Sequence, residues 1–331
     1  MRRLGEIALI ADYLAPLATH PGAFGLKDDA ALLSGLSPNG LVVTTDALVA
    51  GVHFFDDDDP ADAAYKAIAV NVSDLAAKGA KPLAYTLALA LAEAPSEDWA
   101  SRLAAGLARA QAAFGIALIG GDTVTAKGAW WMSVTAFGEA PARGLVPRGA
   151  AKPGDALYVS GTLGDAALGL ALRLGKAEFA ASLPADGRDF LLARYLYPEP
   201  RLGLSAALAS HASAAMDISD GLALDLSRLC AASGVTAEAG AASIPLSPAA
   251  SAAVAASPGA METVLSGGDD YEILAAIPPA SAGAFEAEAQ KAGVRVTKIG
   301  AARAGAGEPV FTSADGSILH LSVKGFEHFG I

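Results

Sequence analysis

Leu41-Val42-Val43-Thr44-Thr45-Asp46-Ala47-Leu48-Val49-Ala50-Gly51-Val52-His53-Phe54 is the stretch on which the fold turns. Its first residues are apolar and β-branched, which predicts a buried strand. Two hydroxyls and a carboxylate then arrive in a row where that strand is expected to end, and His53 follows. Hard oxygen donors at a sheet edge suit magnesium or a phosphate-bound metal. The competing reading is a turn whose Thr and Asp side chains bond local backbone. Aspartates at expected element ends elsewhere in the chain favour the first.

The chain has 331 residues, long for one core, so two domains are expected. It is 53% hydrophobic and 18% charged, which excludes a disordered chain. Acidic residues outnumber basic ones 35 to 23, a net charge of −12, which argues against nucleic acid as a partner. Bound divalent cations can offset such an excess. The single Cys230 allows neither a disulfide framework nor a cysteine zinc site and suits a reducing cytosol. Glu6 and Asp12 interrupt any export signal after Met1-Arg2-Arg3, and the apolar run from Leu83 to Ala92 is roughly half a membrane span. A cytoplasmic protein without membrane segments is expected.

Before the opening strand, Leu4 to Leu17 reads as a short amphipathic helix, and Asp28-Asp29 leads into the apolar Ala30-Ala31-Leu32-Leu33. After it, Asp56-Asp57-Asp58-Asp59-Pro60 reads as a solvated loop ending in an N-cap with Pro at the first helical position, in preference to a metal cluster. On the helix from Pro60 to about Lys78, Ala67, Asn71, Asp74 and Lys78 share a face. That face is either ordinary wet surface or, if it looks at Asp46, a source of ligands.

A strand over Pro82–Leu91, a helix over Ser96–Phe114, a strand over Ile116–Gly120 ending in Gly120-Gly121-Asp122-Thr123, and a strand over Trp130–Gly138 follow. The paired glycines would let backbone approach a ligand. The order predicts an α/β or α+β layer. Turn residues and basic charge from Arg143 to Pro153 mark a junction between domains 1–148 and 149–331. Beyond it, the strand Ala156–Ser160 enters Gly161-Thr162-Leu163-Gly164-Asp165, only a weak phosphate turn, and no P-loop occurs. Asp217-Ile218-Ser219-Asp220-Gly221 opens a helix with Leu222, Leu226 and Leu229 on one face, where Asp220 is either a cap or a ligand. Gly267-Gly268-Asp269-Asp270-Tyr271-Glu272 repeats the glycine-glycine-aspartate theme, and the chain ends in an aromatic tail.

Together these motifs resemble the thiamine-monophosphate kinase family: Asp28-Asp29-Ala30-Ala31, Thr44-Thr45-Asp46 with His53-Phe54, Asn71 to Ala77, Gly120 to Thr123, Lys152-Pro153-Gly154-Asp155, Asp217 to Gly221, Gly267 to Glu272 and Gly325 to Phe329. They run in order over nearly the whole chain. The resemblance implies a two-domain fold like that of aminoimidazole ribonucleotide synthetase and a homodimer paired through residues 1–148. It also implies an ATP site in a metal-rich cleft completed by residues 149–331. The implied reaction passes the γ-phosphoryl group of ATP to thiamine monophosphate. Carried over residue by residue, several magnesium ions would be held by Asp29, Thr44, Thr45, Asp46, Asp74, Asp122, Asp217 and Asp220. The nucleotide would meet Gly121, Asp122, Arg148 and Ser219, and the acceptor would meet His53, Asp269 and Phe326. No general base is implied, because the acceptor phosphate is already ionised.

Three positions depart from the family pattern: Lys27 in place of glycine, Asp269 in place of the common Glu, and Phe326 where Tyr is also seen. The alternatives are a sister synthetase, a non-catalytic nucleotide or ion sensor, and a metal phosphohydrolase. Cys230 is misplaced for a selenide enzyme. Dependence of ATP turnover on thiamine monophosphate separates these readings.

Overall fold

The computed structural model describes residues 6–26, 33, 36, 38–257, 259–313 and 315–326. It divides the chain into two compact units. One holds Ala80–Gly144 with the described residues up to Leu75, and the other holds Ala76–Gly79 with those from Leu145 onward.

In the first unit, the expected amino-terminal helix is short and irregular. Glu6–Leu9 (α1) passes into a π turn over Ile10–Leu14 and 3-10 turns over Ala15–Leu17 and Pro21–Leu26. Then come β1 (Leu41–Val49), α2 (Pro60–Ala77), β2 (Lys81–Leu91), α3 (Glu97–Phe114), β3 (Ala117–Thr125) and β4 (Trp131–Glu139). The strands form one sheet in the order β1-β4-β2-β3, with only β2 and β3 parallel. Asp59 caps α2, its carboxylate accepting from the Ala61 N–H at 2.9 Å, as the Asp-Pro pair predicts. Ser96 caps α3, and Gly115, with φ 65°, ends it.

Two expectations change here. Thr44-Thr45-Asp46 do not end β1, because β4 pairs with it from Leu41↔Glu139 to Val49↔Trp131 and carries the strand past them. Nor does β3 stop at its glycines. Gly121 sits so close to β2 that a Cβ there would lie 1.9 Å from the Leu87 carbonyl oxygen. The close approach is to a neighbouring strand, and the ladder continues through Ala88↔Asp122 to Leu91↔Thr125.

The second unit contains β5 (Ala156–Ser160), α4 (Asp165–Arg173), α5 (Ala185–Leu196), α6 (Ser205–His211), β6 (Ala214–Ile218), α7 (Leu222–Ser233) and β7 (Thr236–Gly240). It continues with α8 (Pro248–Ala256), α9 (Ala260–Ser266), β8 (Glu272–Ile277), α10 (Ala282–Lys291), β9 (Val296–Arg303) and β10 (Val310–Thr312). Its sheet order is β10-β7-β9-β5-β8-β6, antiparallel except for β7 with β10. Every residue of β5, β6 and β8 is buried. Their alternate side chains feed two cores. Leu157, Val159, Met216 and Leu274 join Leu168, Leu191, Leu226 and Val264 of the covering helices, while Tyr158, Ile273 and Ala275 join Leu208 and Phe285. Strands buried on both faces read as continuous apolar runs, so they anchor the polar loops at their ends. Among the described residues, no helix is long and apolar enough to cross a membrane.

Candidate active site

In the first unit, the pleat of β1 sorts the expected ligands. Val42 and Leu48 are buried, and Thr44 and Asp46 lie between them on the same face. That face carries both helices. Thr44 donates its hydroxyl to the Asp74 carboxylate of α2, and Gln111 of α3 donates to the Tyr85 hydroxyl of β2 at 3.4 Å. Asp46 stands one pleat repeat, about 7 Å, from Thr44. The helical face shared by Asn71 and Asp74 therefore looks at β1. Asn71 is fully buried and donates to the Ala67 carbonyl at 2.9 Å, and its Oδ1 has no partner among the described residues.

The same pleat excludes two of the expected residues from this group. Thr45 points to the opposite face, where its hydroxyl meets Thr135 Oγ1 at 3.1 Å. The register Ala47↔Ser133, Ser133↔Ala88 and Ala88↔Asp122 puts Asp122 on that opposite face too. Asp122 is exposed, and its carboxylate accepts from the Thr123 N–H at 2.9 Å. His53 lies in the turn beyond β1, where its Nδ1 accepts the Val49 N–H at 3.0 Å. An accepting Nδ1 leaves Nε2 as the donor nitrogen of the neutral ring. Asp29 lies outside the described residues, as do Lys27, Asp28 and the tail from Glu327.

In the second unit, two loops and the tail converge. Asp269 donates its N–H to the Ser219 carbonyl, and Tyr271 donates to that of Ile218, both at 2.8 Å. Phe326 donates its N–H to the Asp220 carbonyl at 3.0 Å while its ring stays 46% exposed. Glycine is required where these backbones meet. A Cβ on Gly268 would lie 2.4 Å from the Ser219 carbonyl oxygen, and one on Gly325 would lie 2.6 Å from that of Asp220. Ser219, Asp220, Asp269 and Phe326 thus form one surface, with Asp217 buried at the end of β6.

A residue not anticipated from sequence holds the first of these loops. Asp225, fully buried in the first turn of α7, accepts the N–H groups of Ser219 and Asp220 through Oδ2, each at 3.0 Å. Its Oδ1 accepts from Arg228 at 2.9 Å, and Arg228 also pairs with the Asp220 carboxylate. Burial pushes the Asp225 carboxyl up to about 6, against the pull of its hydrogen bonds and of Arg228. The available signal was a carboxylate between Leu222 and Leu226, on the apolar stripe of a helix. Arg148 is exposed, and its backbone lies at the other end of α7 from this loop. Its carbonyl faces Ser233 at the far end of α7, and a helix of that length spans about 18 Å.

Among the described residues, no three His, Cys, Asp or Glu side chains converge as a ready-made metal cage. Magnesium seldom uses one, taking one or two carboxylates, waters and substrate phosphate oxygens. The oxygen-only group of Thr44, Asp46 and Asp74 fits that mode.

Residues 27–140 match the family described as AIR synthase related protein, N-terminal domain, and residues 152–312 match its C-terminal domain. A thiamine-monophosphate kinase from Caulobacter vibrioides is 45% identical over 302 residues, 89% of this chain and 83% of the relative. The crystal structure of thiamine-monophosphate kinase from Stenotrophomonas maltophilia K279a superposes with a TM-score of 0.82 at 38% identity, covering 96% of this chain and 99% of that one. A structure of AaThiL complexed with AMPPCP and TMP gives a TM-score of 0.75 at 31% identity, with 99% of both chains covered. With matches of this extent along both units, the chain belongs to the thiamine-monophosphate kinase family of AIR synthase related proteins.

Proposed function

We propose that this protein phosphorylates thiamine monophosphate to thiamine diphosphate at the expense of ATP. The observation that carries the reading is end-to-end similarity to a chain solved with an ATP analogue and TMP. It is joined by the convergence of Ser219, Asp220, Asp269 and Phe326 on one surface. In the reaction, a non-bridging oxygen of the acceptor phosphate attacks the γ-phosphorus of ATP. The bond from that phosphorus to the β–γ bridging oxygen breaks, and its electron pair leaves with ADP. The acceptor oxygen is already anionic near neutral pH, so positioning and charge neutralisation matter more than a base.

The residue roles are part of this proposal. Thr44, Asp46 and Asp74 are proposed magnesium ligands, and so, separately, are Asp217 and Asp220. Bound magnesium would neutralise phosphate charge and orient the oxygens. Ser219, whose N–H is held by Asp225, is the proposed nucleotide contact. Phe326 offers an exposed ring for the acceptor heterocycles, and His53 offers an Nε2 donor for its phosphate. Asp269 takes the polar acceptor contact.

Domain 1–148 is assigned dimerisation, metal and ATP binding, and domain 149–331 the remaining ATP and acceptor contacts. The β1 face opposite α2 supports a homodimer through the first domain, since Val43 is 55% exposed there. Thr45 and Asp122 lie on that face, so in this reading their contribution belongs to the paired protein. The buried single cysteine fits a cytoplasmic setting.

The deciding experiment is an ADP-release assay with magnesium and ATP, with and without thiamine monophosphate, the product being identified by chromatography. ADP release that depends on the acceptor and matches thiamine diphosphate formed supports the reading. Release without the acceptor points to a hydrolase, and ATP binding without turnover points to a sensor.

A further inference from the structure

The motif Gly267 to Glu272 contains two carboxylates that the proposed reaction leaves unused, Asp270 and Glu272. Both are buried, at 2% and 0% exposure, whereas Asp269 between the loops is half-buried. The turn is conformationally unusual. Asp269 has φ 71° and Tyr271 has φ 50°, left-handed values that cost a non-glycine residue energy unless the surroundings impose them.

Three hydrogen bonds impose them. Two are the Asp269 and Tyr271 N–H bonds to Ser219 and Ile218. The third comes from below, where Asp270 Oδ2 accepts the Gly164 N–H at 2.7 Å. Gly164, at the start of α4, has φ 82° and packs so closely on Val264 that a Cβ there would lie 2.5 Å from it, so glycine is required. Fixed groups surround the contact. Asp165 accepts from Ser247 and Thr162 at 2.5 Å each, and Glu272 accepts from Ser160 at 2.5 Å, Arg201 Nε at 2.7 Å and Arg194 at 3.3 Å. Inward carboxyl groups at alternate positions thus pin a turn whose outward group is Asp269.

We propose that Asp270 is a positioning residue for the acceptor: by holding the Gly164 amide it fixes the left-handed turn that aims Asp269, without touching the acceptor itself. Asp269 as an acceptor contact is part of the function proposed above, and the inference rests on that reading. Burial, with Asp165 and Glu272 nearby, pushes the Asp270 carboxyl well above the usual range, against the Gly164 amide and Arg194. Asn keeps the shape of the side chain and an oxygen that can accept the Gly164 N–H.

The test compares Asp270→Ala with Asp270→Asn. The alanine variant is expected to raise the KM for thiamine monophosphate about tenfold, since small misplacements of a binding group are costly, with the KM for ATP within about twofold. The asparagine variant is expected to restore acceptor KM to within about threefold of the parent protein. An unchanged acceptor KM in the alanine variant, an equal rise in both KM values, or no rescue by Asn overturns the proposal. If Asp270→Ala does not unfold cooperatively, Asp270→Ser, which leaves a smaller void, takes its place with the same outcomes.

Amide exchange at Gly164 and Tyr271, read without substrates, separates the anchor from the reaction. Faster exchange in the alanine or serine variant than in the asparagine variant supports the anchor, and equal exchange overturns it. Absence of acceptor-dependent turnover in the unmodified protein would instead count only against the proposed function.

Discussion

Thr44 of β1 donates its hydroxyl to the carboxylate of Asp74, which is 30 positions later and on α2. The contact ties the centre of a strand to the polar face of a helix and orients Asp74 toward the side of β1 that carries Asp46. Asp74 is only half-buried, so its charge can be removed without opening the core. Asp74→Asn and Asp46→Asn are each expected to cut acceptor-dependent ADP release by about a hundredfold or more, while stability changes by only ~1 kcal/mol. Turnover assays paired with thermal unfolding check this, and near-normal turnover in either variant removes that residue from the metal set.

Asp225 makes a pH-dependent contribution to stability. Its folded-state pKa, about 6, lies above its ordinary value of 3.8, so the folded protein holds this proton more tightly than the unfolded chain. The contribution is full below the ordinary value and is lost as pH rises through about 6, a change of ~3 kcal/mol. Asn at this position has nothing to titrate. Urea unfolding with a chelator present is therefore expected to show the parent losing stability relative to Asp225→Asn between about pH 4 and pH 7. A difference that stays constant or moves the other way contradicts the assignment.

Cys230 is 1% exposed on α7, and burial, with a smaller push from Glu308, raises its thiol to about 11. At pH 8 only about one molecule in a thousand would carry the reactive thiolate. Iodoacetamide is expected to leave the folded protein unlabelled over hours and to label it within minutes in denaturant, followed by intact mass. Rapid labelling of the native protein would show that α7 opens far more readily than its packing indicates.

The elements that sequence reading located well are those whose signals are local. The Asp59-Pro60 cap and the helices expected over Pro60 to about Lys78 and Ser96–Phe114 depend on neighbours within a turn or two. Thr44 to Asp46 and Gly120 do not end their strands as expected, because strand length depends on another strand. Whether a strand ends is decided by the length of its partner, and whether a glycine serves a ligand or a ladder is decided by what lies above it. The division of Thr44 and Asp46 from Thr45 and Asp122 follows from period-two alternation, but only once the register across β4 and β2 is known. Asp225 and Asp270 escaped because a carboxylate buried to accept backbone N–H groups looks, in sequence, like any polar residue near a loop.

Phe326 gives the most direct test of the acceptor site. Its backbone is held by the Asp220 carbonyl, a contact indifferent to the side chain, and its ring is 46% exposed and contributes little to the core. Removing the ring should therefore act on binding and not on folding. A face of stacking and apolar contact is worth about 1–2 kcal/mol, so Phe326→Ala is expected to raise the KM for thiamine monophosphate about tenfold, with the KM for ATP and the unfolding midpoint unchanged. Phe326→Tyr keeps the ring and should stay within about twofold of the parent. Steady-state kinetics on both variants, with thermal unfolding as the control, decide it. An acceptor KM that does not respond to loss of the ring would move the heterocycle away from the tail and leave Asp269 and His53 as the acceptor contacts.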